Sequence, residues 1–199
     1  MSVPTPEIYH HDRFVARRKF FKLFGGHFSI FGLDGNLLAA SEQKAFKLKE
    51  DIRVNDGSPG GAELLQIKAD RIVDFSAAYR VTDSTTGEHI GTLRRKGWSS
   101  LFRDSWEILD ADGIVRGKVM EEDAWKAMVR RTIELAALLL PQSFHVEIDG
   151  QIVATMRQNF NIFIPKFAVD LSLDTEGMLP RPLALATVIL LLAIEGRQD

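Results

Sequence analysis

Two runs of basic residues are placed where they could hold an anion. Arg17-Arg18-Lys19 leads into Phe20, Phe21, Lys22, Leu23 and Phe24, and Arg94-Arg95-Lys96 leads into Trp98, Leu101, Phe102 and Arg103. Cations beside aromatic side chains suit anionic phospholipid headgroups, because the charges meet phosphate while the rings enter the interface. The candidate headgroup contacts are therefore Arg17, Arg18, Lys19, Arg94, Arg95, Lys96 and Trp98. A further pair, Arg130-Arg131, falls in a segment with helical periodicity. A plainer reading also stands for each run. The aromatics are then core residues and the cations solvate a strand, where charge discourages edge pairing. An alternating strand buries about half of its residues by default. The Arg94–Trp98 run ranks first of the two, since it lies where a strand enters a turn.

Other chemistry has little to rest on. The chain has no cysteine, which excludes disulfides, thiolate nucleophiles and cysteine-held zinc. His10, His11, His27, His89 and His145 show no i, i+4 pair of the kind that holds a metal on a helix. No nucleophile elbow, phosphate loop or dinucleotide fingerprint occurs. Carboxylates such as Glu121-Glu122 and the pair Asp110 and Asp112 fall at a helix start or in turns, where they cap rather than exchange protons. The acidic residues Asp170, Asp174 and Glu176 are the candidates for a cation. Counted as a calcium loop from Asp170, they put Thr175 at the sixth position and Arg181 at the twelfth, where glycine and glutamate are needed. No enzyme activity and no cofactor are expected.

These residues must be carried by a small protein. The 199 residues fit a single domain, with a net charge of −2 and 45% hydrophobic content. That charge gives no ground for nucleic-acid binding. Met1 to Asp12 lacks the apolar stretch of a signal peptide, so a cytoplasmic protein is expected, peripheral to a membrane if lipid is its partner.

Most of the chain reads as hairpins. Asp-Gly occurs at Asp34, Asp56, Asp112 and Asp149, and three of these sit between strand-like runs: Phe28 to Leu33 and Asn36 to Ala40, Trp106 to Ala111 and Ile114 to Val119, Phe144 to Ile148 and Gln151 to Met156. Asp-Gly favours tight turns in which both central residues take positive φ. Further strands are expected over Arg13–Leu23, Ala45–Val54, Ile72–Thr82, His89–Lys96, Asn161–Ile164 and Phe167–Leu173. Gly25-Gly26 and Gly60-Gly61 read as turns, and Asn55 to Gly61 as a loop. One amphipathic helix is expected from Glu121 to Leu140, ended by Pro141.

The last element is different. Leu183 to Ile194 is apolar on every face apart from Thr187, whose hydroxyl is expected to bond a carbonyl one turn back. At about 1.5 Å per residue it spans roughly 18 Å, short of the roughly 30 Å of a bilayer core. Pro182 suits its first turn and Gly196 the position past its end. Such a helix needs cover on all sides, and a closed barrel supplies it while removing exposed sheet edges.

The order of these segments resembles the tubby C-terminal-like superfamily, in its LURP-one-related and phospholipid-scramblase-like branch. The resemblance rests on Phe28-Ser-Ile-Phe-Gly-Leu-Asp-Gly, Tyr79-Arg-Val-Thr-Asp, Gly91-Thr-Leu-Arg-Arg-Lys-Gly-Trp98, Trp106-Glu-Ile-Leu-Asp-Ala-Asp-Gly113 and the run from Phe167 through Glu195. It implies a mainly β protein: a closed antiparallel barrel of roughly twelve strands around a buried C-terminal helix, with residues 1–12 as a tail and 13–197 as the domain. Tubby proteins bind phosphoinositide headgroups, and scramblases carry an acidic segment before their terminal helix, where Asp170, Asp174 and Glu176 stand here. The expected function is a non-enzymatic binding or scaffold module whose partner is anionic phospholipid or a protein. The alternative is a scramblase-like protein with the terminal helix in the bilayer.

Overall fold

The structure, a computed structural model, describes residues 5–21, 25–42, 51–70, 77–95, 106–121, 142–159 and 166–194. Twelve strands form a closed barrel: β1 (Arg13–Phe21), β2 (Gly25–Phe31), β3 (Leu37–Glu42), β4 (Asp51–Asp56), β5 (Glu63–Ala69), β6 (Ala78–Asp83), β7 (His89–Arg95), β8 (Trp106–Leu109), β9 (Val115–Glu121), β10 (Ser143–Ile148), β11 (Gln151–Asn159) and β12 (Lys166–Asp170). Each strand pairs antiparallel with its sequence neighbours, and β1 closes on β12 from Arg13 opposite Asp170 to Arg17 opposite Lys166.

The alternation of strand residues decides what lies inside. Phe14, Ala16 and Arg18 of β1 are buried, and Phe144, Val146 and Ile148 of β10 follow the same period. These inward side chains surround the C-terminal helix (Arg181–Ile194), on which Leu185 through Leu192 are almost wholly inaccessible. Thr187 Oγ1 donates to Leu183 O at 2.8 Å, the expected turn-back bond. The helix has 14 residues, and no helix among the described residues is long and apolar enough to cross a membrane. Withdrawing it into lipid would leave the inner face of every strand without cover.

Three expectations are corrected. Gly25 and Gly26 are not a turn; they begin β2 and pair with Phe21 and Phe20. Strand β12 ends at Asp170 rather than at Leu173, because the Asp170 carboxylate accepts bonds from Ser172 N and Oγ at 2.9 and 2.6 Å and turns the chain. Leu173 is left 54% exposed. Of the three Asp-Gly hairpins, only Asp149-Gly150 has both residues at positive φ, 45° and 85°. The other two use a longer loop in which Gly35 and Gly113 alone take that conformation, their N–H groups bonding Gly32 O and Asp110 O. The expected helix from Glu121 to Leu140 and the strand Asn161–Ile164 lie outside the described residues, apart from Glu121 itself, which ends β9.

Residues before β1 pack on the barrel as well. Glu7–His10 makes a 3-10 turn that buries Ile8 and sets Tyr9 against the core.

Candidate functional site

An up-and-down barrel has two ends. The turns 32–36, 57–62, 84–88, 110–114 and 149–150 share one end with the start of the helix. Aspartates organise these turns through side-chain bonds: Asp34 to Asn36, Asp56 to Ser58, Asp83 to Thr85 and Asp110 to Ile114. The other ends of the strands lie opposite, where the helix finishes. Both basic runs approach that second end.

The strand period divides each run between the two faces of the sheet. Arg18 points inward and is fully buried. Its Nη1 donates to Leu192 O at 2.7 Å and Ala193 O at 2.9 Å, so the guanidinium caps the negative end of the helix. Its guanidinium carbon also lies 5.5 Å from the Phe28 ring centre. As a headgroup contact Arg18 is withdrawn, because no surface ligand reaches it. Arg95 stands opposite Trp106, a core residue, and is half-buried on the inner side of the sheet. Arg94 faces outward but binds Glu107 through Nε and Nη2 at 2.9 and 2.6 Å. Such a two-point bond occupies the donors that an anion would need. Lys96 and Trp98 lie outside the described residues, and Lys19 is placed by its strand position alone, opposite His27.

Arg17 has different surroundings. It faces outward, with its guanidinium carbon 4.5 Å from the centre of the Phe31 ring. Closure of the barrel sets Lys166 directly opposite it on β12. Arg157 of β11 lies on the next diagonal, since Asn159 is the partner of Lys166 and Ala168 that of Arg157. Among the described residues no carboxylate pairs with Arg17, Lys166 or Arg157. Elsewhere on the barrel several cations have partners, Arg13 with Asp170, Arg53 with Glu63, Arg116 with Asp110, Lys118 with Glu147 and Arg181 with Asp12, whereas Lys68 and Arg80, opposite each other on β5 and β6, also lack a carboxylate among the described residues. Like charges directly opposite each other on a sheet repel. An uncompensated pair of this kind is where an anion would relieve the strain.

A family model matches most of the chain that builds this barrel and its terminal helix: the LURP-one-related model covers residues 12–191. The chain belongs to the LURP-one-related family. That family is related to the tubby-like proteins. The X-ray structure of a protein from Arabidopsis thaliana matches with a TM-score of 0.54 over 96% of each chain at 13% identity, a likeness of fold alone. No curated protein matches the sequence.

Two of the three acidic candidates of this LURP-one-related barrel are spent on its architecture. Asp170 pairs with Arg13 at 3.0 Å besides turning the chain at Ser172, and these contacts, the Ser172 hydroxyl foremost, hold its carboxyl below the usual range. Asp174 is buried and accepts bonds from Met178 N and Leu179 N at 2.7 and 3.1 Å, fixing the approach to the helix. Glu176 is exposed. No three His, Asp or Glu side chains converge on a metal-sized site among the described residues.

Sequence reasoning found Arg17 but not Lys166 or Arg157. They are far apart in the chain, and only the β1–β12 seam makes them neighbours. One signal was available: Lys166 precedes Phe167, an inward residue, so its outward direction could be read from the alternation.

Proposed function

We propose that this LURP-one-related protein is a non-enzymatic binding module for anionic phospholipid surfaces, which it contacts through the outward row Arg17, Lys166 and Arg157. The observation that carries the reading is the like-charge pair Arg17–Lys166 across the β1–β12 seam, without a carboxylate to compensate it among the described residues. Phe31 beneath Arg17 adds the aromatic component that an interface favours. The interior of the barrel is filled by its own helix, which directs binding to the outer surface.

The test is sedimentation with liposomes of neutral lipid alone and with added phosphatidylserine, at low and raised salt. Binding should require the anionic lipid and weaken with salt. A basic residue near an anionic surface contributes about 1 kcal/mol, so R17Q/R157Q/K166Q should lose about a hundredfold in affinity. Equal binding to neutral liposomes, or none to anionic ones at low salt, would reject the reading.

A further inference from the structure

The opposite end of the barrel carries a separate site. A cleft of about 300 Å³ opens where the helix enters, walled by Ile90, Ile108, Met178, Leu179 and Leu183. Its rim is charged, with Asp110, Asp149 and Arg116 all lining it. Arg116 Nε binds Asp110 Oδ2 at 2.9 Å, so that pair is neutral as a unit. Asp149, and Asp112 in the same hairpin as Asp110, also lie within electrostatic reach of Arg116, so three carboxylates share one guanidinium at this end.

Two large apolar side chains are exposed on the hairpins at this end of the barrel. Ile114 is 53% exposed at the tip of the β8–β9 hairpin, and Ile152 is 51% exposed beside the β10–β11 turn.

The sign of the occupant follows from charge. A helix start carries a partial positive charge, which would favour an anion. Here the buried Asp174 already takes the Met178 and Leu179 N–H groups just ahead of it, and Pro182 has no N–H to offer. What remains facing a ligand is an apolar wall under net negative charge.

The geometry points to this cleft as the docking site for a basic, apolar segment of a protein partner. A hydrophobic side chain of that segment enters among Ile108, Met178 and Leu183, and a lysine or arginine beside it meets Asp112 and Asp149. This site lies at the other end of the barrel from the proposed lipid-contacting row and does not depend on that reading.

The probe is the peptide acetyl-Lys-Leu-Lys-Phe-Lys-amide, titrated into the full-length protein and followed by methyl NMR of its isoleucines and methionines. Two control peptides replace either Leu and Phe by serine or every Lys by glutamate. The parent peptide should shift the methyls of Ile90, Ile108 and Met178 and bind about tenfold more tightly than either control, since both an anchor and a charge are required. D112N/D149N should weaken it by about tenfold, leaving liposome binding and the urea midpoint unchanged. Asparagine accepts the positive φ at position 149, so this variant keeps its turn. Equal binding of the serine control would reduce the effect to bulk charge and overturn the proposal. Shifts confined to methyls outside the cleft, or indifference to D112N/D149N, would overturn it too.

Discussion

Arg18 gives the sharpest test of the interior. It is the largest fully buried side chain among the described residues and holds the last turn of the helix through Leu192 O and Ala193 O. The last four carbonyls of a helix have no partner within it, so these two are satisfied from outside or left bare. A hydrogen bond from a charged donor contributes about 1.5–3 kcal/mol. Replacing Arg18 by methionine keeps most of the stem and removes the charge along with its burial penalty, so R18M should cost about 2–3 kcal/mol. R18A also opens a cavity and should cost about 3–5 kcal/mol, a large share of a total stability of about 5–15 kcal/mol. The assay is urea denaturation followed by far-UV circular dichroism, comparing midpoints at constant slope. The loss should be nearly the same at low and high salt, because a buried pair is poorly screened. Folded R18M should bind anionic liposomes as the parent does, while R17Q/R157Q/K166Q should not. If R18M and R18A both fall within about 0.5 kcal/mol of the parent, as surface substitutions do, the capping role is wrong. If R18M loses lipid binding while folded, the division between inner and outer arginines is wrong.

D174A should destabilise by about 2 kcal/mol, since it leaves two backbone N–H groups without their charged acceptor, and D174N should recover part of the loss in the same urea assay. G91A should cost about 1–3 kcal/mol in the urea midpoint by overpacking, because its new Cβ would stand 2.5 Å from Leu109 O, a backbone atom that cannot swing aside. Acid sensitivity has a definite sign. The carboxyls of Asp56, Asp110 and Asp170 are held below their ordinary range, chiefly by bonds from the Ser58 hydroxyl, the Ile114 N–H and the Ser172 hydroxyl respectively. Groups depressed on folding add stability that is complete above the unfolded value of about 3.9 and is lost as pH falls through the folded one. The urea midpoint should therefore fall below about pH 4, and D56N/D110N/D170N should flatten that acid limb; an unchanged limb would assign it to other groups.

Much of the barrel was legible because local chemistry and period agreed. The Asp-Gly turns marked three hairpins, and Phe144, Val146 and Ile148 alternate in the structure as they do in the sequence. The terminal helix was legible from its uniform apolarity and from its length. Strand β5 was not. Its sequence, Glu-Leu-Leu-Gln-Ile-Lys-Ala, puts Leu64 and Leu65 side by side, and both are buried. The cause is a register shift: Val54 pairs with Leu65 and Asn55 with Glu63, which leaves Leu64 as the extra residue of a bulge. A bulge breaks the period that a sequence reading depends on. Asp34 and Asp112 misled for a related reason, since the same dipeptide serves two loop lengths with different backbone signs.

The basic runs show why a patch on a sheet is hard to read along a single strand. On a helix, nearby cations can share a face; on a strand, consecutive residues point to opposite faces. Arg17 and Arg18 therefore do opposite work at the same end of the barrel. The end where the helix stops is negative by its dipole, and Arg18 answers that need from inside. Arg17 finds its like-charged neighbour one strand away, across a seam that exists only because β1 meets β12. A count of adjacent arginines merges the two roles, although only the outward one is open to a surface ligand. The pairs that decide binding on a barrel are those across strands, so register rather than sequence spacing sets which cations act together. Arg94 is the complementary case: its outward cation is met by Glu107 across the β7–β8 ladder, and the same logic that makes Arg17 available makes Arg94 a structural ion pair. R94Q should accordingly change the urea midpoint by no more than about 1 kcal/mol and leave liposome affinity close to that of the parent, whereas R17Q alone should lower it. The reverse ranking would show that the ion pair opens at a membrane and that the seam does not bind.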